Sequence, residues 1–295
     1  MKKTILFISA ILFSASVFAQ DAVPDSLAGW KTGGVVSINA SQVSLTNWAA
    51  GGESSVSGSG LFSAFVNYRK NKFTWENTLD IAYGLIKQGE DPVIKSDDKI
   101  SFASKSGLSA FGDWYYTGLV GFQTQFDRGY DNPGDELYIS DFMAPAYLNV
   151  SIGLDYKPSD MFSLYLSPLS GKFTVVADDS LAAQGAYGVG PGKQLRPEFG
   201  GYLKMMFKYD IMKNVNFQTT LDLFSNYLNN PENIDVNWDV LISMKINEYL
   251  SANLTTTLIY DDDIMIAFEN GDGSVDKRPA VQFKEVFGVG FSYKF

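Results

Sequence analysis

Residues 281–295 read VQFKEVFGVGFSYKF. The odd positions are Val281, Phe283, Glu285, Phe287, Val289, Phe291, Tyr293 and Phe295, apolar or aromatic except for Glu285. The even positions are Gln282, Lys284, Val286, Gly288, Gly290, Ser292 and Lys294, polar or small except for Val286. A period of two marks a strand whose faces meet two different surroundings.

Working back from this stretch, the same alternation recurs in eleven further segments: 34–43, 55–68, 73–85, 99–110, 114–126, 147–156, from 162 to a blur at Pro168, 197–209, 217–227, 236–245 and 250–260. Short turns follow the even-numbered segments: Lys70-Asn71, Gly112-Asp113, Lys157-Pro158-Ser159-Asp160, Lys213-Asn214 and Asn247-Glu248. Longer connections follow the others. An even strand count with short and long connections in strict alternation predicts an all-β chain. The expected fold is a transmembrane antiparallel up-and-down β-barrel of about 12 strands, with its termini and short turns in the periplasm. Glu285 breaks the lipid face and is expected near the outer interface, where a charge costs little.

The amino terminus sets the compartment. Lys2 and Lys3 precede an apolar run over 4–18, and Val17 and Ala19 are small residues placed as a signal peptidase requires. Residues 1–19 therefore read as a signal peptide, 20–31 as a short periplasmic segment and 32–295 as the barrel, located in the cell outer membrane. With no cysteine in the chain there is neither a lipid attachment point nor a disulfide. No later run reaches the ~20 apolar residues of a spanning helix. Aromatic residues make up 15% of the chain and the net charge is −10, which argues against nucleic acid as a partner.

An aromatic end such as Phe291, Tyr293 and Phe295 resembles the terminal strand of bacterial outer-membrane barrels, where it is the signal read by the barrel-assembly machinery. Three longer stretches carry a closer resemblance: GGVVSINASQVSLTNWAAGGESS at 33–55, SPLSGKFTVVADDSLAAQGAYGVGPGKQLRPEFG at 167–200, and LIYDDDIMI from Leu258 followed by the terminal strand. They resemble an uncharacterised Bacteroidota outer-membrane barrel family, a domain of unknown function. The resemblance implies fold and location and carries over no activity, ligand or catalytic residue.

The chemistry must then come from the residues. The chain has no histidine, so Ser–His and Asp–His catalysis are excluded, as are thiol nucleophiles and His- or Cys-based metal sites. No cofactor and no enzymatic activity are expected. GVGPGK at 188–193 lacks the ending of a phosphate loop and reads as an ordinary loop. By parity the lumen receives Glu76, Asp80, Asp155, Glu198, Asp222 and Asp239, set against Lys105, Lys204, Lys208, Lys245 and Lys284. Glu76 and Asp80 share a face, too far apart to share a proton. These charges either pair and stabilise a narrow barrel or line a path for small polar solutes. The first reading of function is thus a passive channel. The alternative is a structural or interaction barrel that binds an envelope protein partner through its extracellular loops, with Trp48 and the aromatic-rich segment 138–142 as contact features.

Acidic pairs fill the long loops, among them Glu90-Asp91, Asp97-Asp98, Asp135-Glu136, Asp178-Asp179 and Asp261-Asp262-Asp263, while Arg69, Lys70, Lys72, Lys157 and Lys213 gather at short turns. The loops could bridge through divalent cations to lipopolysaccharide, though none has the ligand spacing of a calcium loop. Outer-membrane lipid and lipopolysaccharide are the expected surroundings. The connection 171–196 is too apolar to stand in water. Its core, 178–193, is expected to fold over the barrel mouth against the upper wall and form the constriction, with Lys193 and Arg196 meeting rim carboxylates such as Glu198.

Overall fold

A computed structural model describes residues 29–45, 53–130, 132–269 and 274–295. The signal-peptide expectation, Trp48 and the loop tip around it lie outside the described residues. The wall is built from β1 (Gly29–Val43), β2 (Ser55–Lys70), β3 (Phe73–Gln88), β4 (Ile94–Ser109), β5 (Trp114–Thr124), β8 (Ala146–Ser159), β9 (Phe162–Val175), β10 (Leu195–Met212), β11 (Val215–Asn226), β12 (Ile234–Lys245), β13 (Leu250–Tyr260) and β16 (Gln282–Lys294). These twelve strands form a closed antiparallel barrel in the order β1-β16-β13-β12-β11-β10-β9-β8-β5-β4-β3-β2. Two ribbons stand apart from it in the long connections: β6 (Gly129–Tyr130) with β7 (Tyr138–Ser140), and β14 (Met265–Glu269) with β15 (Val275–Pro279). The helix α1 (Asp179–Ala183) and a 3-10 turn at Ala186–Gly188 lie in the connection from β9 to β10.

Eleven of the twelve pairings join strands that follow one another along the barrel wall, and the twelfth closes the ring between β1 and β16. That seam pairs Val35↔Lys294 through Asn39↔Gly290, whereas β1 and β2 pair from Gly29↔Arg69 to Val43↔Ser55. Closure removes the sheet edges that would otherwise present unpaired backbone groups. Polarity is reversed relative to a soluble barrel. Ile38, Leu108, Tyr116, Ile152, Phe283, Phe287 and Phe291 are exposed on the outer face, where Glu285 also lies, while the paired charges of the strands point inward. Such an exterior is stable only where the surrounding solvent is apolar.

Three sequence expectations need correction. β1 begins at Gly29, inside the segment read as a periplasmic arm. The turn read at Lys157–Asp160 is shorter: β8 runs on to Ser159, so Lys157 belongs to the wall. β9 does not blur at Pro168 but continues to Val175. A bulge at Ser167-Pro168 shifts the register on both sides of β9, so Leu164 and Leu166 face outward below it, and Leu169 and Phe173 above it. Proline has no N–H for the ladder, and strand prolines are confined to such irregular positions. Ser167 Oγ ties the bulge down by donating to the carbonyl of Ile152 at 2.8 Å.

Candidate functional site

The lumen is crossed by ion pairs at several levels. Near the short-turn end, β3, β4 and β8 supply Glu76, Lys105, Asp155 and Lys157. Lys105 Nζ lies 2.7 Å from Asp155 and 3.5 Å from Glu76, and Lys157 Nζ lies 2.5 Å from Glu76 and 3.2 Å from Asp155. Two carboxylates and two ammonium groups form a neutral square, and Ser163 of β9 donates to Asp155 at 2.8 Å. The Asp155 side chain is 0% exposed. A carboxylate taken fully out of water is tolerable only when paired and hydrogen-bonded in this way.

At mid-height Lys204 of β10 meets Asp222 of β11 at 2.9 Å, and the Tyr202 hydroxyl donates to the same carboxylate. Beside them Tyr165 is fully buried, with its hydroxyl donating to Ser151 Oγ at 3.1 Å. Toward the long-loop end Lys172 of β9 reaches Asp235 of β12 at 2.5 Å and Asp261 beyond β13 at 3.1 Å. Arg196 of β10 meets Glu198 at 3.2 Å and Asp263 at 2.7 Å. Strands from β8 round to β13 are thereby braced across the interior.

The other wall, made by β16, β1, β2 and β3, is built differently. Its inward positions are mostly small: Ser37, Asn39 and Ser41, then Ser57, Ser59 and Ser63, then Gly288 and Gly290. Asp80 here is held by the Ser63 hydroxyl, which donates at 2.5 Å. Thr78 is exposed toward the lumen. Lys284 reaches Asp97 of β4 at 2.8 Å. Between the two walls Lys99 of β4 and Asp239 of β12 approach to 3.6 Å, with side chains 32% and 29% exposed. Five strands separate β4 from β12 by either route round the ring, so this pair spans the full width. Both partners nevertheless stay wet.

Of the eleven charges expected in the lumen, Glu76, Lys105, Asp155, Glu198, Lys204, Asp222, Asp239 and Lys284 fall in the pairs above, and Asp80 has its serine. Lys208 and Lys245 sit exposed near the short-turn end of their strands. Glu76 and Asp80 are separated, as expected, with different partners. Sequence reading did not place Lys95, Asp97, Lys99, Lys157, Lys172, Asp235, Asp261 and Asp263 in the lumen. For Lys99 the signal was present, since it alternates with the outward Ile100 and Phe102. Asp97, Asp98, Asp261 and Asp263 each take a basic partner. Among the described residues no three acidic groups converge as a metal site would require.

The connection after β9 does fold into a packed unit, but against a different neighbour. Val176, Leu181, Ala182 and Val189 bury themselves with Ala144, and Tyr138, Ala186 and Tyr187 pack around them. The apolar loop core therefore rests on the β5–β8 connection, while Gly188 lies against the Arg196 side chain of β10 and the Asp263 backbone. Asp178 caps α1 by accepting from the Leu181 N–H at 2.9 Å and takes the Tyr138 hydroxyl at 2.7 Å. Those two donors, the backbone N–H foremost, hold its carboxyl below the usual range. Burial pushes the Tyr187 hydroxyl up to about 12, and it donates to the Ile139 carbonyl at 2.7 Å. Arg196 meets Glu198 as expected, whereas Lys193 stays exposed.

The terminal aromatics lie on the outer face, all at least half exposed. Phe295 exchanges backbone hydrogen bonds with Gly34 at 2.9 and 3.1 Å. Its ring lies over Gly34, where a Cβ would stand 2.5 Å from Phe295 Cζ, and it stacks on Phe62 at 6.2 Å. Only glycine leaves room for that seat.

The fold and site define a closed twelve-stranded barrel with an apolar outside and a charged inside. Residues 40–130 match a family described as "Protein of unknown function (DUF3078)". No curated protein matches the chain. Among solved structures it is similar to an outer membrane channel from Pseudomonas putida F1, with 11% identity over 93% of this chain and 100% of that one, at a TM-score of 0.41. The translocator domain of the autotransporter NalP from Neisseria meningitidis aligns over 99% of this chain and 95% of its own at 8% identity and a TM-score of 0.38. For OmpT, an outer membrane protein of Vibrio cholerae, the values are 93%, 100%, 10% and 0.32. The description of the fold rests on the chain's own strand pairing.

Proposed function

We propose that the chain is an outer-membrane barrel that passes small polar solutes or ions through a narrow, wet lumen, with the short turns in the periplasm and the long loops outside. The supporting observation is the Lys99–Asp239 pair, whose partners come from opposite walls and remain about a third exposed. A lumen filled by side chains would leave them as dry as Asp155. At that level the passage is limited to species that slip past or exchange with an ion pair. Phe291, Tyr293 and Phe295 serve as the assembly signal for the barrel-assembly machinery, and lipopolysaccharide surrounds the loop end. We assign no catalytic role. Purified protein in planar bilayers is expected to give discrete conductance steps, and silent bilayers across several salts and voltages would overturn the channel reading.

One observation favours the alternative, a barrel that binds an envelope partner through its loops. Leu137, Ile139 and Phe142 are exposed in and beside β7, where water gains nothing from them. A stoichiometric partner retained in mild detergent, together with silent bilayers, would support it.

A further inference from the structure

The outer wall carries an indentation near the short-turn end. Ser106 of β4 and Gly118 of β5 are register partners that both face outward, and they leave the wall without bulk. Phe73, Leu108, Tyr116 and Ile152 stand around them and border a shallow, open groove of about 330 Å³. That volume lies within the range of small-ligand sites, about 300–1,000 Å³. Its rim is apolar and its floor is backbone, one hydroxyl and one glycine. Two residues further up β4, Ser104 is fully used: it accepts from Trp75 Nε1 at 2.9 Å and donates to Asn77 Oδ1 at 2.8 Å. The Ser106 hydroxyl makes no hydrogen bond to the described residues.

Charge marks one end of the groove. Lys70 ends β2 and Lys72 lies in the β2–β3 turn, both exposed, and Lys72 immediately precedes the groove wall at Phe73, whereas Arg69 donates to the Tyr115 hydroxyl on the lumen side at 3.2 Å. The Lys72 carbonyl takes the Ser109 N–H at 2.7 Å, which fastens this basic turn to the end of β4 just below Leu108. Asp113, in the neighbouring turn, is the acidic residue on this part of the rim.

We infer that this groove is a binding site for one acyl chain of an anionic phospholipid of the periplasmic leaflet, with its phosphate at the Lys70–Lys72 turn. The inference rests on the membrane placement proposed above. Apolar walls suit a chain, the unpaired Ser106 hydroxyl suits an ester oxygen, and the cationic turn sits where a headgroup would emerge. A second copy of the barrel fits less well, because a two-fold contact across the groove would bring the two basic turns together.

Native mass spectrometry of the barrel in micelles containing equal phosphatidylglycerol and phosphatidylethanolamine tests this. One phosphatidylglycerol should remain bound at activation energies that strip phosphatidylethanolamine. Gly118→Leu fills the groove, and a Cβ there meets nothing closer than Ser106 Oγ at 3.8 Å, so the barrel should assemble without the retained lipid. The double variant Lys70→Glu, Lys72→Glu should keep a lipid but lose the preference for phosphatidylglycerol. Equal retention of both lipids, an unchanged adduct in Gly118→Leu, or a dimer in place of the adduct would overturn the site. A heat-modifiable, vesicle-inserted barrel with no retained lipid rejects the groove alone, whereas a chain that never enters vesicles rejects the membrane reading with it.

Discussion

The two halves of the barrel wall solve the problem of an interior in opposite ways. From β8 round to β12 the inward positions include long charged side chains that meet partners across two or more strands: Lys157 with Glu76, Lys172 with Asp235 and Asp261. From β16 through β3 they are mostly serine, glycine and asparagine, too short to span the lumen, with Glu76 and Lys284 as the long exceptions. Eight strands are enough to give an interior that side chains fill, while barrels of sixteen or more leave a channel. A twelve-stranded barrel sits between these, and here one wall sends paired charges into the lumen while the other lines it with small side chains. Bracing and passage are thus separable functions of different residues, which mutation can test.

The largest effect should come from the braced wall. Asp155→Ala leaves the largely buried Lys105 and Lys157 facing each other with the partly exposed Glu76 as their remaining carboxylate. Breaking a buried pair from one side costs roughly 3–5 kcal/mol. The unfolding midpoint followed by heat-modifiable gel migration should drop accordingly, and an unchanged midpoint would end the distinction between the walls. On the opposite wall Thr78→Trp should leave that midpoint nearly unchanged while reducing single-channel conductance severalfold. Equal conductance would mean that the passage runs elsewhere.

A finer test uses Asp80, whose carboxylate has a hydroxyl partner and no ion pair among the described residues. Asp80→Lys should shift the reversal potential in a salt gradient toward anions. A matching shift from Lys204→Asp, which alters the braced side, would blur the comparison. The smallest effect concerns the loop unit. Asp178 has a lowered carboxyl pKa in the folded chain, so its contribution is present above the ordinary value of about 4 and is lost as pH falls through the lower folded value. Proteolytic nicking within 181–193 should therefore rise only in strong acid. Asp178→Asn, which still caps a helix, should flatten that rise.

Alternation made the wall legible because each strand lies between two contrasting surroundings, and twelve segments of that kind were readable one at a time. β9 was obscured where the bulge at Ser167-Pro168 exchanges its faces, since a single inserted residue reverses the parity on which the reading depends. Lys157 was hidden because Lys-Pro-Ser-Asp has turn composition, although the strand runs through it. The partners across the lumen were not legible at all. Lys99 and Asp239 are neighbours only because a ring brings opposite strands together, and no local pattern encodes that distance. The loop core was visible as misplaced apolar residues, but its true partner, Ala144 on another connection, could not be read from 171–196 alone.

The seam between β1 and β16 has a consequence for timing. Eleven strand pairs can form as each connection turns back, over short stretches of chain, whereas the Gly34–Phe295 contact must wait for nearly the whole sequence to be in place. Contacts between distant parts of a chain form slowly because the intervening loop must first be closed. The nascent sheet would therefore present two raw edges, one at each end, for as long as closure is delayed. The pairing that finally joins them runs only from Val35 to Asn39. Catalysis of assembly is then needed at one place above all others, and the aromatic ring that fits over Gly34 acts as the latch that keeps a late, short junction shut.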